Sequence, residues 1–402
     1  MPNLSFLPNF PPALSNLALT GLILLAGLGC GELFRRVLRL PRISGYVAAG
    51  LLLGPGTFGL VDKDMLQDSW IVLDIALGLI LFELGSRLDL TWFKRNRWLL
   101  ASSIAECVLS FLAIFVVLLL LGAPKLQAGI GAAIGTATGA PVLLLIIHSE
   151  RSDGLLTDRA INLTALNNVF AVVVLTMLLA FLHLEYRAGI YLVFLHPLYL
   201  LLGSALLGLV ASVILVWLAR WVGKREDLQF ILLVAMVLLT VGMAKTLHLS
   251  NFISLLVLGV MARNRDAKRD LLPVEFGPTA QALFILLFVI SGATLTLGDL
   301  RSGFLVGLAF VVARLAGKVI GVVLFARQSG LAMRKAGLLS ITLMPMSATA
   351  VVMVESTALL YPEFGERLSA IVLSAVLILE MISPLLAQWA LRWAGEAHPG
   401  AS

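Results

Sequence analysis

The sequence predicts an all-α polytopic membrane protein with about thirteen transmembrane helices, arranged as inverted repeats that each contain a broken helix. Hydrophobic residues make up 60% of the 402 positions and charged residues only 13%, with a mean hydropathy of +1.01. Apolar runs long enough to cross a bilayer recur along the whole chain, and two of them are interrupted by Pro, Gly and Thr. This composition excludes a soluble globular domain.

The predicted spans form a single transmembrane domain over residues 13–394. A short leader (1–12) precedes this domain, and a short cytoplasmic tail (395–402) follows it. The spans are expected at residues 13–37, 43–61, 69–90, 97–121, 127–148, 159–183, 190–222, 228–247, 250–263, 276–297, 302–326, 333–356 and 367–394.

Lys and Arg are concentrated in alternate loops, which marks those loops as cytoplasmic in a bacterial inner membrane. The intervening loops are short and carry few basic residues, so we expect the N-terminus outside and the C-terminus in the cytoplasm. The net charge of +6 follows from this bias and indicates no nucleic-acid partner. The basic loops contain Arg35, Arg36, Arg39, Arg42, Lys94, Arg95, Arg97, Lys224, Arg225, Arg263, Arg265, Lys268, Arg269, Arg334 and Lys335.

The spans at 127–148 and 333–356 are predicted to be broken helices. Proline removes a helical hydrogen bond, and glycine and hydroxyl residues favour unwinding. The two spans lie an odd number of spans apart and so cross the bilayer in opposite directions, which is typical of an inverted-repeat transporter. Two ordinary proline-kinked helices are the alternative. The break residues are Gly135, Thr136, Thr138, Gly139 and Pro141 in the first span and Thr342, Pro345, Ser347 and Thr349 in the second.

Asn167 and Asn168 lie in the middle of an apolar span and mark a candidate ion pathway. Two adjacent carboxamides at bilayer depth are costly unless they face a cavity or a partner. An amide oxygen can coordinate a cation, but an amide cannot release a proton. If cation movement at this pair is coupled to protons, the proton carrier must therefore be another residue.

Lys318 is the first candidate for that carrier, because a desolvated lysine can load and release a proton. Arg314 lies one helical turn earlier on the same face. Glu380 is the second candidate and Glu83 the third. A structural role is the alternative for each: a hydrogen bond for Lys318 and an ion pair for the carboxylates. The other carboxylates of the spans, which we expect in structural ion pairs or near the interface, are Glu32, Asp74, Glu106 and Glu355.

Six segments carry a family resemblance through their order and spacing. They are PRISGYVAAGLLLGPGTFGLV from residue 41, LILFELGSRLDL from 79, GTATGAPVLLLI from 135, LFVISGATLTL from 287, RLAGKVIG from 314 and LMPMSATAVVM from 343. Together they resemble the cation–proton antiporter superfamily, in the branch that contains Kef-type potassium and bacterial sodium–proton exchangers. The resemblance implies two crossed broken helices, a buried lysine at Lys318 and an ion site at Asn167-Asn168. In that family the aligned pair normally contains at least one Asp, so the usual proton-binding acid is missing here.

The resemblance implies a secondary transporter that exchanges Na⁺ or K⁺ for protons by alternating access. The cation would bind among Asn167, Asn168, Thr136, Thr138 and the carbonyls freed at the breaks. By analogy, the chain would form a homodimer through spans that include 43–61 and 190–222. Because the usual acid is replaced, a proton-uncoupled cation, anion or solute transporter and a non-transporting sensor stay open as alternatives.

Neither an enzyme nor a resident cofactor is expected. The spans contain no hydrolase or metalloprotease motif, and the histidines lack metal-ligand spacing. Cys30 and Cys107 lie far apart in separate spans, which indicates neither a disulfide framework nor a metal motif.

Overall fold

The computed structural model describes residues 16–38, 41–61, 70–86, 88, 97–186, 190–266, 278–294, 297–346, 350–351, 353–354, 357 and 362–398. These residues are mostly helical. The helices are α1 (Asn16–Leu33, followed by a π-helical turn, Phe34–Leu38), α2 (Arg42–Leu53), α3 (Trp70–Ser86), α4 (Arg97–Leu120), α5 (Lys125–Thr136), α6 (Ala140–Glu150), α7 (Leu155–Tyr186), α8 (Ile190–Val222), α9 (Glu226–Thr246), α10 (Asn251–Arg265), α11 (Pro278–Thr294), α12 (Leu297–Leu324), α13 (Met333–Thr342) and α14 (Pro362–Trp393). Each predicted span overlaps at least one of them, which confirms the predicted fold class.

The helices have the length and composition of membrane-spanning segments. Eight helical segments of the described residues are long and apolar enough to cross a bilayer. The 33 residues of α8 measure roughly 50 Å at 1.5 Å per residue, against a hydrocarbon core of about 30 Å. The outer face of α8 is apolar: the side chains of Trp217 and Leu206 are 66% and 63% exposed. Such a face suits lipid and not water.

The helices pack as two bundles. The first bundle contains α1, α2, α3, α8, α9, α10 and α11, with its most extensive contacts between α8 and α10, α3 and α10, and α2 and α11. The second bundle contains α4, α5, α6, α7, α12, α13 and α14, with its most extensive contacts between α4 and α12 and between α12 and α14. The bundles meet through the pairs α7–α8, α2–α14, α3–α6 and α3–α7.

Glycine allows α12 to pack closely on α4. A Cβ atom added at Gly321 would lie 2.3 Å from the Cα of Glu106, and one at Gly317 would lie 2.4 Å from the Cα of Ser110. Neither distance is possible for a real side chain, so only glycine permits this approach at the two positions. The approach places the faces of α4 and α12 that carry Glu106 and Lys318 next to each other.

Both predicted broken helices are interrupted where the sequence indicates. The first runs as α5 to Thr136 and resumes as α6 at Ala140. In the second, α13 ends at Thr342, residues 343–346 are not helical, and the next described residue, 350, is helical; the predicted break residues Ser347 and Thr349 lie outside the described residues. The N–H of Gly139 donates a hydrogen bond of 2.7 Å to the carbonyl of Pro345. The two breaks are therefore in direct contact, as expected for crossed broken helices.

A polar network joins Glu396, which follows α14, to the start of α7 and to Lys335 of α13. The Glu396 carboxylate accepts hydrogen bonds from the N–H groups of Leu156 (3.0 Å) and Thr157 (2.9 Å) and from the Lys335 ammonium (2.9 Å). It therefore satisfies backbone donors at the start of α7. Burial disfavours the charged form, but these hydrogen bonds outweigh it and hold the pKa of Glu396 below its ordinary value. This carboxylate ties the start of α13 to α7, the helix that carries the asparagine pair.

Candidate functional site

Arg314 fills the crossing of the two broken helices. Its guanidinium is fully buried and donates hydrogen bonds to the carbonyls of Gly135 (2.5 Å), Ala137 (2.9 Å), Leu343 (3.2 Å) and Pro345 (3.1 Å). The C-terminal ends of α5 and α13 leave such carbonyls without helical partners and carry partial negative charge. One arginine therefore neutralises both helix ends. Four of the carbonyls freed at the breaks are occupied by protein and are not open to a cation in this conformation.

Lys318 lies one turn after Arg314 and forms an ion pair with Glu106 of α4. Both side chains are 0% exposed. The Lys318 ammonium also donates a hydrogen bond of 3.2 Å to the hydroxyl of Thr138, in the first break. A buried ion pair is costly unless its remaining donors and acceptors are satisfied. The site therefore contains a carboxylate after all, on a different helix from the asparagine pair.

Asn167 connects this ion pair to the break. Its amide nitrogen donates to the Thr138 hydroxyl at 2.9 Å and to the Glu106 carboxylate at 3.3 Å. Its amide oxygen lies 3.1 Å from the sulfur of Cys107 and accepts the thiol hydrogen bond. A carboxylate can only accept, so Glu106 fixes which end of the amide faces it. We refer to Glu106, Cys107, Thr138, Asn167 and Lys318 as the central cluster.

Asn168 is bound differently from its neighbour. Its amide nitrogen donates to the carbonyls of Thr138 at 2.7 Å and Thr164 at 2.9 Å. Its amide oxygen is buried and has no hydrogen-bond partner among the described residues. A buried acceptor without a donor is destabilising. This oxygen is therefore the group of the asparagine pair best placed to gain from a bound cation.

Three predicted site residues have no hydrogen bond or ion pair with the central cluster within the described part of the chain. The hydroxyl of Thr136 donates to the carbonyl of Ala133, one turn earlier, at 2.7 Å. Glu83 forms an ion pair of 2.9 Å with His148, which joins α3 to α6. Glu380 is buried in α14, and the polar side chain beside it is that of Ser291 on α11. Their predicted roles in ion binding or proton transfer stay predictions.

Sequence reasoning gave Glu106 no role in the site, although the structure joins it to Lys318. The available signal was its depth: Glu106 is the ninth residue after Arg97, the first residue of α4, and so lies well inside the span. A lysine buried within a span is stabilised by a carboxylate or by backbone carbonyls, so Glu106 was one of the carboxylates to consider as its partner. Cys107 was likewise considered only as a disulfide or metal residue, yet its thiol contacts Asn167.

Comparison with known proteins agrees with this architecture. The family model described as "Sodium/hydrogen exchanger, transmembrane" matches residues 20–393. Two structures of the sodium proton antiporter MjNhaP1 from Methanocaldococcus jannaschii have a similar fold. Their TM-scores are 0.69 and 0.73, at 17% and 16% identity; each alignment covers 94% of this chain, and 97% and 96% of the respective MjNhaP1 chains.

A curated relative carries a different name. The chain is 27% identical over 298 residues to the iron transporter MagA of Paramagnetospirillum magneticum (strain ATCC 700264 / AMB-1). The alignment covers 69% of this chain and 64% of MagA, so the chain spans just under two thirds of the length of that relative. Because the family model covers nearly the whole chain, this multi-pass membrane protein belongs to the transmembrane sodium/hydrogen exchanger family, whose members are transporters and not enzymes, as its sequence predicts.

Proposed function

We propose that the protein exchanges a monovalent cation, Na⁺ or K⁺, for protons across the bacterial inner membrane. The observation that carries the proposal is the fully buried Lys318–Glu106 ion pair at the crossing of the broken helices, hydrogen-bonded to Thr138 and Asn167. Family membership supports cation–proton exchange as the general activity. The choice of a monovalent cation follows from charge balance: one carboxylate, Glu106, is compensated by the single positive charge of Lys318.

The cation and the Lys318 proton compete for one anion. Glu106 is fully buried, and an uncompensated charge there would be strongly destabilising. Either the Lys318 ammonium or a bound cation can compensate it. When a cation enters, repulsion favours loss of the Lys318 proton, and the neutral amine no longer needs the carboxylate. The site has the same net charge in both states, so one proton exchanges for one cation without net charge movement.

The surrounding groups suit a hard cation. Oxygen ligands are available from the Glu106 carboxylate, the Thr138 hydroxyl and the Asn168 amide oxygen, which has no hydrogen-bond partner among the described residues. Carboxylate and neutral oxygen atoms are typical ligands of hard cations. Asn167 would hold Glu106 and Thr138 in place through its amide nitrogen.

Alternating access would move the two bundles against each other. The central cluster lies within the second bundle, on α4, α7, α12 and the break between α5 and α6. Displacement of this bundle against the first would change which side of the membrane the site faces. The N-terminus would lie outside and the C-terminus in the cytoplasm. The first bundle would also supply the homodimer contacts, through α2 and α8.

The test is cation-driven proton movement in proteoliposomes. Purified protein is reconstituted with a pH-sensitive dye in the lumen, and Na⁺ or K⁺ is added outside. We expect lumenal pH to change with one of these ions, and Lys318→Gln to lose the response. Lys245→Gln is the matched control, since Lys245 pairs with Asp74 in the first bundle. A Lys318→Gln protein that exchanges as well as wild type would contradict the proposed role of Lys318.

Cys107 favours a second candidate, the movement of Fe²⁺. A relative is named an iron transporter, and a thiol suits Fe²⁺ better than Na⁺ or K⁺. Against this, the described residues contain no group of three or more His, Cys, Asp or Glu placed to hold a metal. If Fe²⁺ drives proton movement, Na⁺ and K⁺ do not, and Cys107→Ser abolishes the response, the second candidate replaces the first. Cation flux without proton movement would support an uncoupled transporter, and the absence of any flux a sensor.

A further inference from the structure

Glu380 is a buried carboxyl group outside the central cluster. Its side chain is 1% exposed, and neither of its oxygens is in hydrogen-bonding geometry with a donor among the described residues. Ser383, three residues later on the same face of α14, is fully buried, and its hydroxyl also has no partner within the described part of the chain. Ser291 of α11 lies beside the carboxyl group.

Among the side chains that the structure describes, the charged groups on α14 and on the helices packed against it are engaged elsewhere or exposed. α14 packs against α2, α5, α6, α12 and α13, and Ser291 belongs to α11, which has no charged residue in its described range. The ion pairs on these helices are Arg42 with Glu32, His148 with Glu83, Arg392 with Glu150, Lys318 with Glu106, and Lys335 with Glu396. Arg314 binds backbone carbonyls where the broken helices cross, and the Arg334 guanidinium lies over the ring of Trp393. Lys125 and Arg367 are exposed.

A carboxylate in these surroundings would be a buried charge with the Ser291 hydroxyl beside it and no cation among the described side chains to compensate it. Such a group avoids the cost of desolvation by binding a proton. We propose that Glu380, with Ser291 and Ser383, forms a proton-binding site at the interface of the two bundles, separate from the central cluster. Its ligand is the proton, which makes the carboxyl group neutral in the conformation described here.

The position of the site gives it a conformational role, which rests on the proposed alternating access. Glu380 belongs to the second bundle and Ser291 to the first. Relative movement of the bundles changes this contact and admits water, and a hydrated carboxyl group releases its proton at neutral pH. Because the present conformation holds the proton more tightly, falling pH favours it and rising pH favours the displaced one. The site would therefore link pH to the position of the bundles without itself binding the cation.

Two measurements on purified protein without Na⁺ or K⁺ test the site. The first is infrared spectroscopy at pH 7, where a protonated carboxyl group gives a carbonyl stretching band that a carboxylate lacks. We expect the band in wild type and in the control Glu83→Gln, and its loss in Glu380→Gln. Glutamine matches the shape of the neutral acid, so the variant is expected to fold. Equal bands in wild type and Glu380→Gln would overturn the proposal.

The second measurement is the distance between spin labels on the two bundles, at the exposed positions Leu206 and Leu305 in a Cys30→Ser background. We expect the distance distribution to change between pH 5 and pH 8 in wild type and to stay constant in Glu380→Gln. An identical pH response in both proteins would overturn the conformational role. Neither readout requires transport, so an absence of cation–proton exchange would count against the proposed function and leave this site standing.

Discussion

Lys318 and Glu106 are 212 residues apart in the sequence and form a fully buried ion pair between α12 and α4. The pair stands where the asparagines of α7 reach the first broken helix, and Thr138 and Asn167 hydrogen-bond to it. The asparagine pair lacks an acid, but the site does not. The carboxylate is that of Glu106, which lies on α4 and not on α7, and it forms its ion pair with Lys318.

Glu106→Gln should remove both stability and exchange. The substitution leaves the Lys318 ammonium buried without its anion, and breaking a buried ion pair costs about 3–5 kcal/mol. We expect a lower Tm in detergent and no cation-driven proton movement in proteoliposomes. Glu32→Gln is the control, because Glu32 pairs with Arg42 in the first bundle.

The double variant Glu106→Gln/Lys318→Gln separates the two effects. Removal of both charges leaves no uncompensated ion, so we expect Tm to recover most of the loss seen in Glu106→Gln, while exchange stays absent. A double variant that still exchanges cations for protons would show that the ion pair is only structural.

Asn168→Ala should weaken cation binding more than it slows turnover. The variant deletes the buried amide oxygen that has no hydrogen-bond partner among the described residues. We expect KM for the cation to rise on the order of tenfold, equivalent to roughly 1.4 kcal/mol, with a smaller change in kcat. Asn162→Ala is the control on the same helix, since Asn162 donates to the carbonyl of Asp158. An unchanged KM in Asn168→Ala would remove this oxygen from the cation site.

Arg314→Lys should destabilise the crossing although it keeps the charge. A guanidinium reaches four carbonyls at once, whereas an ammonium has three donors on a point charge. Each buried carbonyl left without a donor costs about 1–3 kcal/mol. We expect Tm to fall by several degrees relative to Arg334→Ala, whose guanidinium lies over Trp393. Equal Tm values for the two variants would mean that Arg314 does not hold the breaks together.

Glu396 should make stability depend on acid pH. Its pKa is lowered in the folded protein, so its contribution to stability is present above the ordinary glutamate value of about 4.3 and is lost as pH falls through the folded value. We expect Glu396→Gln to have a lower Tm than wild type at pH 7. The two Tm curves should converge as pH falls below about 4. Parallel curves over the whole range would contradict this role.

The sequence was sufficient for the fold and for part of the site. Apolar length gave the spans, and Pro141, Gly139 and Pro345 located the breaks, because these features act within one helix. The depth of Lys318 and of the asparagine pair in their spans followed from the same local reasoning. Family comparison confirmed the resemblance drawn from the ordered segments.

The partnerships within the site could not be predicted, because they depend on how distant helices pack. Glu106 reaches Lys318 because Gly317 and Gly321 allow α12 to pack closely on α4. Arg314 was expected on the same face as Lys318, but its binding to carbonyls from both breaks depends on the crossing itself. Periodicity within one span carries no information on either contact.

The central claim is that cation binding displaces the Lys318 proton from a shared site. The most direct measurement is the number of protons released when purified protein binds Na⁺ or K⁺, obtained by titration calorimetry in buffers of different ionisation enthalpy. The account predicts about one proton per bound cation in wild type and none in Lys318→Gln. Cation binding to wild type without proton release would contradict it.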